Sequence, residues 1–401
     1  MTIKRLLAIV IIFTGICAAW FLLGSAVTLR TARADVQLLD KVRGNWGAEI
    51  QQKQPKVFYV APDSSESRRT IQPLTSDVRV NLNYDPKKKG LLWYRTYQAD
   101  FSAEYVVRNP TPIEQTIFIE FEFPVDGMRY DAFNLSIEGE VSDKAPENGT
   151  ITESVVLAAD AEATVRIGYR AAGMNSWSYS LAGTSRIRGL QLQMLTDFDD
   201  IDFPVGTESP TSRDPAGNGW QLNWDYSDVI GAQAIGMDMP AAINPGPVAA
   251  RITFFAPVSL LFFFAVLVIL GMIRDRSLHP MNYFFLGAGC FAFQLLFVYL
   301  VGLIPVQTAF AIAAAVSLVL VTGYLWLACG RKFALSAGVA QLFYLVLFSY
   351  SFFFVGLTGI TVTVGAIVTL AMLMVITAKV DWSEVFTMKK AVRNPPPIPA
   401  A

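Results

Sequence analysis

Histidine and cysteine are nearly missing from this chain. Its 401 residues include one His, at 279, and three Cys, at 17, 290 and 329. Chemistry that needs a histidine pair is excluded. The cysteines all lie in apolar stretches, so neither a disulfide framework nor a cysteine zinc site can be built from them. Charge is also scarce, at 16% of residues, against about 25% in an ordinary soluble domain. Lys and Arg number 32 and Asp and Glu 33, so the basic excess that nucleic-acid binding requires is lacking. The deficit is local. The 125 residues from Phe254 to Ala378 hold only Arg274, Asp275, Arg276, Arg331 and Lys332. An ordinary polar region is therefore fused to a membrane region, which rules out a cytosolic enzyme and a disordered chain.

A bilayer core about 30 Å thick needs roughly 20 apolar residues per helix. Six stretches meet this: Leu6 to Leu29, Ile252 to Ile273, Tyr283 to Ile304, Thr308 to Leu327, Phe333 to Gly356 and Ile360 to Ala378. Basic residues cluster at Lys4–Arg5, Arg274–Arg276, Arg331–Lys332 and Lys379–Arg393, while the turns near Pro305 and Thr358 carry no charge. By the positive-inside rule all four clusters are cytoplasmic. Both termini are then cytoplasmic and the region from Arg30 to Arg251 lies outside. Ala32-Arg33-Ala34 resembles a cleavage site, but the apolar run before it is too long for a signal peptide, so an uncleaved anchor is expected.

The polar region alternates with period two, the mark of half-buried strands. Val78, Val80, Leu82 and Tyr84 form one such set. Others are Ile117, Ile119, Phe121 and Phe123; Phe133, Leu135 and Ile137; Val165, Ile167 and Tyr169; Leu190, Leu192 and Met194; and Trp220, Leu222, Trp224 and Tyr226. Asp85-Pro86, Asn109-Pro110, Glu147-Asn148-Gly149 and Gly217-Asn218-Gly219 punctuate them as turns. Roughly ten short strands predict an antiparallel β-sandwich inserted between the first and second of six transmembrane helices. The expected organisation is an anchor at 1–29, a periplasmic β-rich domain at 30–251, a five-helix membrane domain at 252–380 and a cytoplasmic tail at 381–401. The segment Ala34 to Val42 reads as a continuation of the first helix.

Few residues point to chemistry. Asp197, Asp199, Asp200 and Asp202 could hold calcium, but the glycine and distal glutamate of a calcium loop are missing, so a solvated loop is expected. Lys87, Lys88 and Lys89 read as a solvated hairpin tip. Asn134-Leu135-Ser136 and Asn148-Gly149-Thr150 match a glycosylation pattern that matters only in a eukaryotic secretory pathway. The spans hold no Asp, Glu, Lys or Arg of the kind that ion-coupled carriers keep at depth. Gln294 and Gln341 are the main polar groups there, explained by hydrogen bonds between helices. Ala311 with Ala315, and Ser336 with Ala340, have spacing suited to close helix packing. His279-Pro280 reads as a helix start and Asp381-Trp382 as a membrane-boundary element. Arg274, Arg276, His279, Arg331, Lys379 and Asp381 share one interface, where Asp381 is expected to pair with His279 or a neighbouring cation.

Leu278-His279-Pro280-Met281-Asn282-Tyr283 is similar to the Leu/Ile-His-Pro-x-x-Tyr element of the CreD family of bacterial inner-membrane proteins. The resemblance continues through Ala311–Ala315, Gly323-Tyr324-Leu325 and Gln341-Leu342-Phe343-Tyr344, and closes with Lys379-Val380-Asp381-Trp382. Val42-Arg43-Gly44-Asn45-Trp46-Gly47 also resembles the family's Val-x-x-x-Trp-Gly after the first span. Where the family reads Ser-Glu-His-Ile, this chain has Val301-Gly302-Leu303-Ile304, so no role of that Glu or His carries over. The resemblance implies a process and not a reaction: envelope stress, beta-lactam exposure and colicin tolerance.

These readings predict a non-enzymatic inner-membrane protein without cofactor or metal that supports envelope integrity. His279, Pro280, Tyr283, Arg274, Arg276, Asp381, Trp382 and Gln341 are its candidate structural or interface residues. Its expected partners are the lipid bilayer and a periplasmic protein, wall or lipid component, and not nucleic acid. The alternative is a transporter or flippase for a lipid-like molecule. A membrane enzyme ranks third.

Overall fold

The computed structural model describes residues 3–61, 67–90, 92–181, 186–231, 233–273, 278–354 and 358–378. The chain divides into two compact units. One holds residues 1–34, 90–92 and 244–401, and the other residues 35–89 and 93–243.

The first unit is helical. Helix α1 runs over Ile3–Trp46, with its residues up to Ala34 in this unit, α2 over Pro245–Ile273, α3 over Pro280–Leu300 and α4 over Val306–Cys329. Helix α5, Arg331–Gln341, continues through a π-helical turn at Leu342–Leu347 to Phe353. Among the described residues, five helical segments are long and apolar enough to cross a membrane: Lys4–Ala34, Pro245–Gly271, Pro280–Leu300, Val306–Cys329 and Arg331–Phe353. The helix Thr358–Thr377 contains the shorter apolar stretch Val362–Ala371. A helix satisfies its own backbone, so these segments can lie in hydrocarbon without orphaned amides. Their packed faces form one apolar core containing Trp20, Phe263, Leu286, Phe293, Phe297, Ala313 and Ala337.

Close contact in this core uses small residues, but not all those that spacing suggested. Ala311 and Ala315 are exposed, whereas Ala309, Ala313 and Ser317 form the buried stripe of α4. The α4 sequence is apolar all round, so small residues recur on more than one face. Spacing alone does not say which face meets a neighbour. On α5, Ala340 is buried as expected, but Ser336 is only half-buried and bonds the Lys332 carbonyl of its own helix.

The second unit is β-rich. An eight-stranded sheet has the order β10-β9-β12-β7-β4-β14-β16-β15. These strands span Glu140–Val141, Tyr130–Ile137, Glu162–Met174, Thr96–Arg108, Thr75–Tyr84, Arg186–Thr196, Gly219–Ile230 and Ser212–Ala216. A four-stranded sheet has the order β11-β8-β2-β3, over Thr150–Leu157, Gln115–Glu122, Lys56–Val60 and Arg68–Ile71. Three strands, β1 (Ile50–Lys53), β13 (Ser176–Ser180) and β17 (Ile235–Asp238), make a third sheet. The hairpin β5–β6 (Lys87–Lys89, Leu92–Tyr94) makes a fourth.

Alternation decides which side chains enter the core. Val78, Val80 and Leu82 on β4, Ile117, Ile119 and Phe121 on β8, and Val165, Ile167 and Tyr169 on β12 are all buried in one shared cluster. Leu222 and Trp224 are buried too, while Trp220, at the start of the same strand, is half-buried with Arg213 stacked 3.6 Å from its ring. The sheets are not wholly antiparallel, as had been expected. Strand β14 pairs β4 in parallel from Leu190↔Ser76 to Thr196↔Leu82, and β1 pairs β13 in parallel. Period-two alternation fixes the face that a residue points to, not the direction of the neighbouring strand.

The Val42–Gly47 element lies where α1 ends and β1 approaches. Val42 is fully buried. Gly47 has φ +98°, and a Cβ there would meet the Ala172 carbonyl oxygen at 1.9 Å. Only glycine suits this closure, which the Gly47 N–H completes by donating to the Arg43 carbonyl at 3.0 Å.

Candidate functional site

A cavity of about 690 Å³ in the β-rich unit opens at one end of strands β8, β9 and β11. That volume is in the range of small-molecule sites. Its floor is aromatic. Phe123 packs on Tyr130 with ring centroids 4.7 Å apart and on Phe133 at 5.0 Å. Buried Phe121 lies edge-on to Phe123 at 5.2 Å, and buried Tyr169 edge-on to Tyr130 at 5.2 Å. An aromatic stack therefore runs from the core outward and ends in three half-buried rings. Phe133, expected on the core face of its strand, is one of these three.

Two loops complete the cleft. The first, between β8 and β9, carries Val125, Asp126, Gly127 and Met128. It is pinned by the Tyr130 hydroxyl, which accepts from the Val125 N–H at 2.9 Å and donates to the Val125 carbonyl at 3.1 Å. Burial pushes the Tyr130 hydroxyl up to about 12, the Val125 bond opposes this and the nearby Asp126 charge adds to it, so it stays protonated at neutral pH. The second loop carries Lys144, Pro146, Asn148 and Gly149. Lys144 Nζ donates to Glu153 Oε2 and to the Thr152 carbonyl, each at 2.9 Å. Burial works to raise the Glu153 carboxyl, but hydrogen bonds from Ser142 and Lys144 outweigh it and hold the group below its ordinary value.

The helical unit holds a line of buried polar groups. Gln341 Nε2 donates to Ser317 Oγ at 3.0 Å, and Ser317 Oγ donates to the Gly289 carbonyl at 2.9 Å. The chain thus links α5, α4 and α3. The Oε1 atoms of Gln341 and Gln294, and the Tyr344 hydroxyl, are buried without a partner among the described residues. The π-helical turn begins directly after Gln341; such turns concentrate at functional sites. Beside it, an apolar crevice of about 230 Å³ is lined by Phe262, Tyr344, Leu347, Phe348, Val368 and Thr369, among others.

The residues that the sequence singled out fall into two groups. His279 caps α3: its Nδ1 accepts from the Met281 N–H at 3.3 Å, and Pro280 occupies the first turn. Asn282 Oδ1 accepts from the Tyr324 hydroxyl at 2.9 Å, and Tyr283 is buried edge-on to Phe264 at 5.2 Å. Gln341 heads the polar line. Arg274, Arg276, Asp381 and Trp382 lie outside the described residues, and the Asp381–His279 clasp with them. The acidic run is occupied with loop geometry: Asp197 Oδ1 accepts from the Tyr84 N–H at 2.8 Å, and Asp202 Oδ1 from the Phe203 N–H at 3.0 Å. Of the lysine run, Lys87 pairs with Asp85 at 2.6 Å and Lys89 lies 5.4 Å from the Trp46 ring. Sequence reading missed the cleft, although four aromatics at 121, 123, 130 and 133 around a Pro-x-Asp-Gly turn were its available signal.

No curated protein matches the chain. A solved structure from Legionella pneumophila, described as a candidate nutrient-binding protein, covers 67% of this chain and 100% of its own at 10% identity. Its TM-score of 0.36 is too low to carry an argument. The Val42–Gly47 element falls outside the family match, whereas the Leu278–Tyr283 and Lys379–Trp382 elements fall inside it. Residues 209–383 match the family described as Inner membrane protein CreD; that stretch holds four of the five spanning-length apolar helices among the described residues, and this part of the chain is similar to a multi-pass inner-membrane protein of that family.

Proposed function

We propose that the protein is a non-enzymatic component of the inner membrane whose β-rich unit faces the periplasm and recognises a ligand or partner there, supporting envelope integrity or the response to envelope stress. In this reading six spans hold both termini in the cytoplasm. The charge asymmetry of the short loops supports that orientation. The observation that carries the reading is the aromatic cleft: a cavity of small-molecule size with an aromatic floor and charged residues at its rim, in the part of the chain that is not membrane-like. A cell lacking the protein should tolerate an envelope-active drug such as a beta-lactam less well, and the wild-type chain should restore tolerance. A chain with Phe133→Ala and Asp126→Asn, present in the membrane at wild-type level, should not. Full restoration by that variant would remove the cleft from the function.

The second reading is transport of a lipid-like molecule. The crevice beside the π-helical turn favours it, because a carrier for such cargo needs a lateral groove more than a buried charge. A photoactivatable lipid should then crosslink to Leu347 or Val368, and Val368→Trp should abolish the crosslink.

A further inference from the structure

We propose that the cleft of the β-rich unit is a binding site for an organic cation with an apolar body, a protonated or quaternary amine attached to an aromatic or aliphatic group. This rests on reading that unit as a recognition unit. The floor supplies the first half of the argument. Phe123 packs on both Tyr130 and Phe133, with centroids 4.7 and 5.0 Å apart, so neither pair leaves room for a ligand between its rings. They form a wall rather than a cage. A ligand lies along ring faces, where a cation within about 6 Å of a ring is attracted to its quadrupole.

Charge supplies the second half. Asp126 is exposed at the cleft and has no ion-pair partner among the described residues. Its carboxylate is set against Gly149, where a Cβ would meet Oδ1 at 2.2 Å. Gly149 has φ +75°, so the turn itself calls for glycine and leaves the carboxylate its space. Asp143 and Glu147, both exposed, flank the lining residues Lys144, Pro146 and Asn148. The cation of the lining does not cancel these charges. Lys144 is held by Glu153 and the Thr152 carbonyl, and the depressed Glu153 carboxyl keeps that pair charged and mutually neutralised. Arg129, beside the lining residue Met128, is paired with Asp131 at 2.8 Å. What remains is an apolar aromatic floor under a negative rim. Such a site repels phosphate, sulfonate and carboxylate ligands, and favours a cation over a neutral molecule of the same shape.

The test uses the full chain in a neutral maltoside detergent and three probes of similar size: benzyltrimethylammonium, benzyl alcohol and benzenesulfonate. Calorimetric titration should give the tightest binding for the cation, weaker binding for the alcohol and none for the sulfonate. Asp126→Asn should weaken the cation by about fivefold, the order expected of an exposed charge contact, and leave the alcohol unchanged. Phe133→Leu keeps the apolar volume and removes a ring face, and should weaken the cation by about threefold. Asp126→Lys should reverse the preference towards benzenesulfonate, a gain that misfolding cannot imitate. Equal affinity for all three probes, or an Asp126→Asn variant that binds the cation as wild type does, would overturn the charge assignment while leaving a ligand site in place. Binding of none of the probes would overturn the proposal itself, and the drug-tolerance assay then decides separately whether the cleft matters.

Discussion

Buried polar side chains are treated differently in the two units. In the β-rich unit most are paired, with Ser67 Oγ and Trp177 Nε1 among the exceptions. The Tyr105 and Tyr179 hydroxyls meet at 3.0 Å, Tyr169 donates to Gln52 Oε1 at 2.9 Å, and Tyr97 donates to the Ser176 carbonyl at 2.7 Å. Asn109 is the fullest case. Its amide donates to the carbonyls of Ile113, Leu157 and Ala158, and its oxygen accepts from Thr111. In the helical unit, Trp20 Nε1, Ser259 Oγ, the Oε1 atoms of Gln294 and Gln341, and the Tyr344 hydroxyl are buried without partners among the described residues. The difference follows from the backbone. Sheets leave backbone groups at bends, edges and strand ends, which a buried side chain can reach. A helix pairs its backbone groups internally; a buried Ser or Thr can share a carbonyl of the preceding turn, as Thr253 does with Ala249 and Thr369 with Gly365, but a Gln, Trp or Tyr side chain must reach a partner on another helix, as Gln341 reaches Ser317. Removing a paired hydroxyl from the core of the β-rich unit should therefore cost more than removing Gln341, whose oxygen has no partner among the described residues.

The largest effect expected is at Trp224, which is buried and donates from Nε1 to the Glu208 carbonyl at 3.0 Å. Trp224→Ala should destabilise the β-rich unit by about 3–5 kcal/mol, read from near-ultraviolet circular dichroism on heating. Asn223→Ala, on the outer face, should cost under about 0.5 kcal/mol. Equal losses would mean that the strand register is wrong.

Next in size is the tyrosine pair. Tyr105→Phe or Tyr179→Phe leaves the other hydroxyl buried and unpaired, at about 1–3 kcal/mol. The double variant should cost less than the two singles added. Strict additivity would show that the hydroxyls do not share a bond.

The matching change in the helical unit sharpens the contrast. Gln341→Leu removes one bond to Ser317 but also an oxygen with no partner, so its cost should stay near the average of about 0.6 kcal/mol for such bonds in a bilayer protein. A loss as large as that of the tyrosine pair would show that Gln341 is satisfied by something else, such as bound water.

The smallest effect concerns pH. Glu153 has a folded-state value held below its unfolded value of about 4.3. Its contribution is fully present above the unfolded value and is lost as pH falls through the folded one. Hydrogen exchange in residues 142–153 should accelerate below about pH 4, and Glu153→Gln should remove that step. An unchanged acid response in the variant would assign the transition elsewhere.

Much of this fold was legible in alternation, as Val78, Val80 and Leu82 show, because a strand with one buried face must repeat every second residue. Five of the six expected spans were legible from apolar length, the last holding only the shorter apolar stretch Val362–Ala371 among the described residues, and the start of α3 was legible from His279-Pro280. The parallel β4–β14 pair was not, since pairing is decided by strands more than 100 residues apart. The cleft was hidden for a similar reason: Phe123 and Phe133 come from one stretch, and Lys144 to Ile151 from another. The π-helical turn has no mark in Leu342–Leu347, where every residue is apolar or aromatic and suits an α-helix equally well.

Everything proposed for the β-rich unit depends on its facing the periplasm, and one labelling experiment tests that directly. Replace Cys17, Cys290 and Cys329, place a cysteine at the exposed position Lys88, and add a membrane-impermeant maleimide to intact spheroplasts. The account predicts labelling before lysis at the same extent as after it. Labelling only after lysis would put the β-rich unit in the cytoplasm and contradict it.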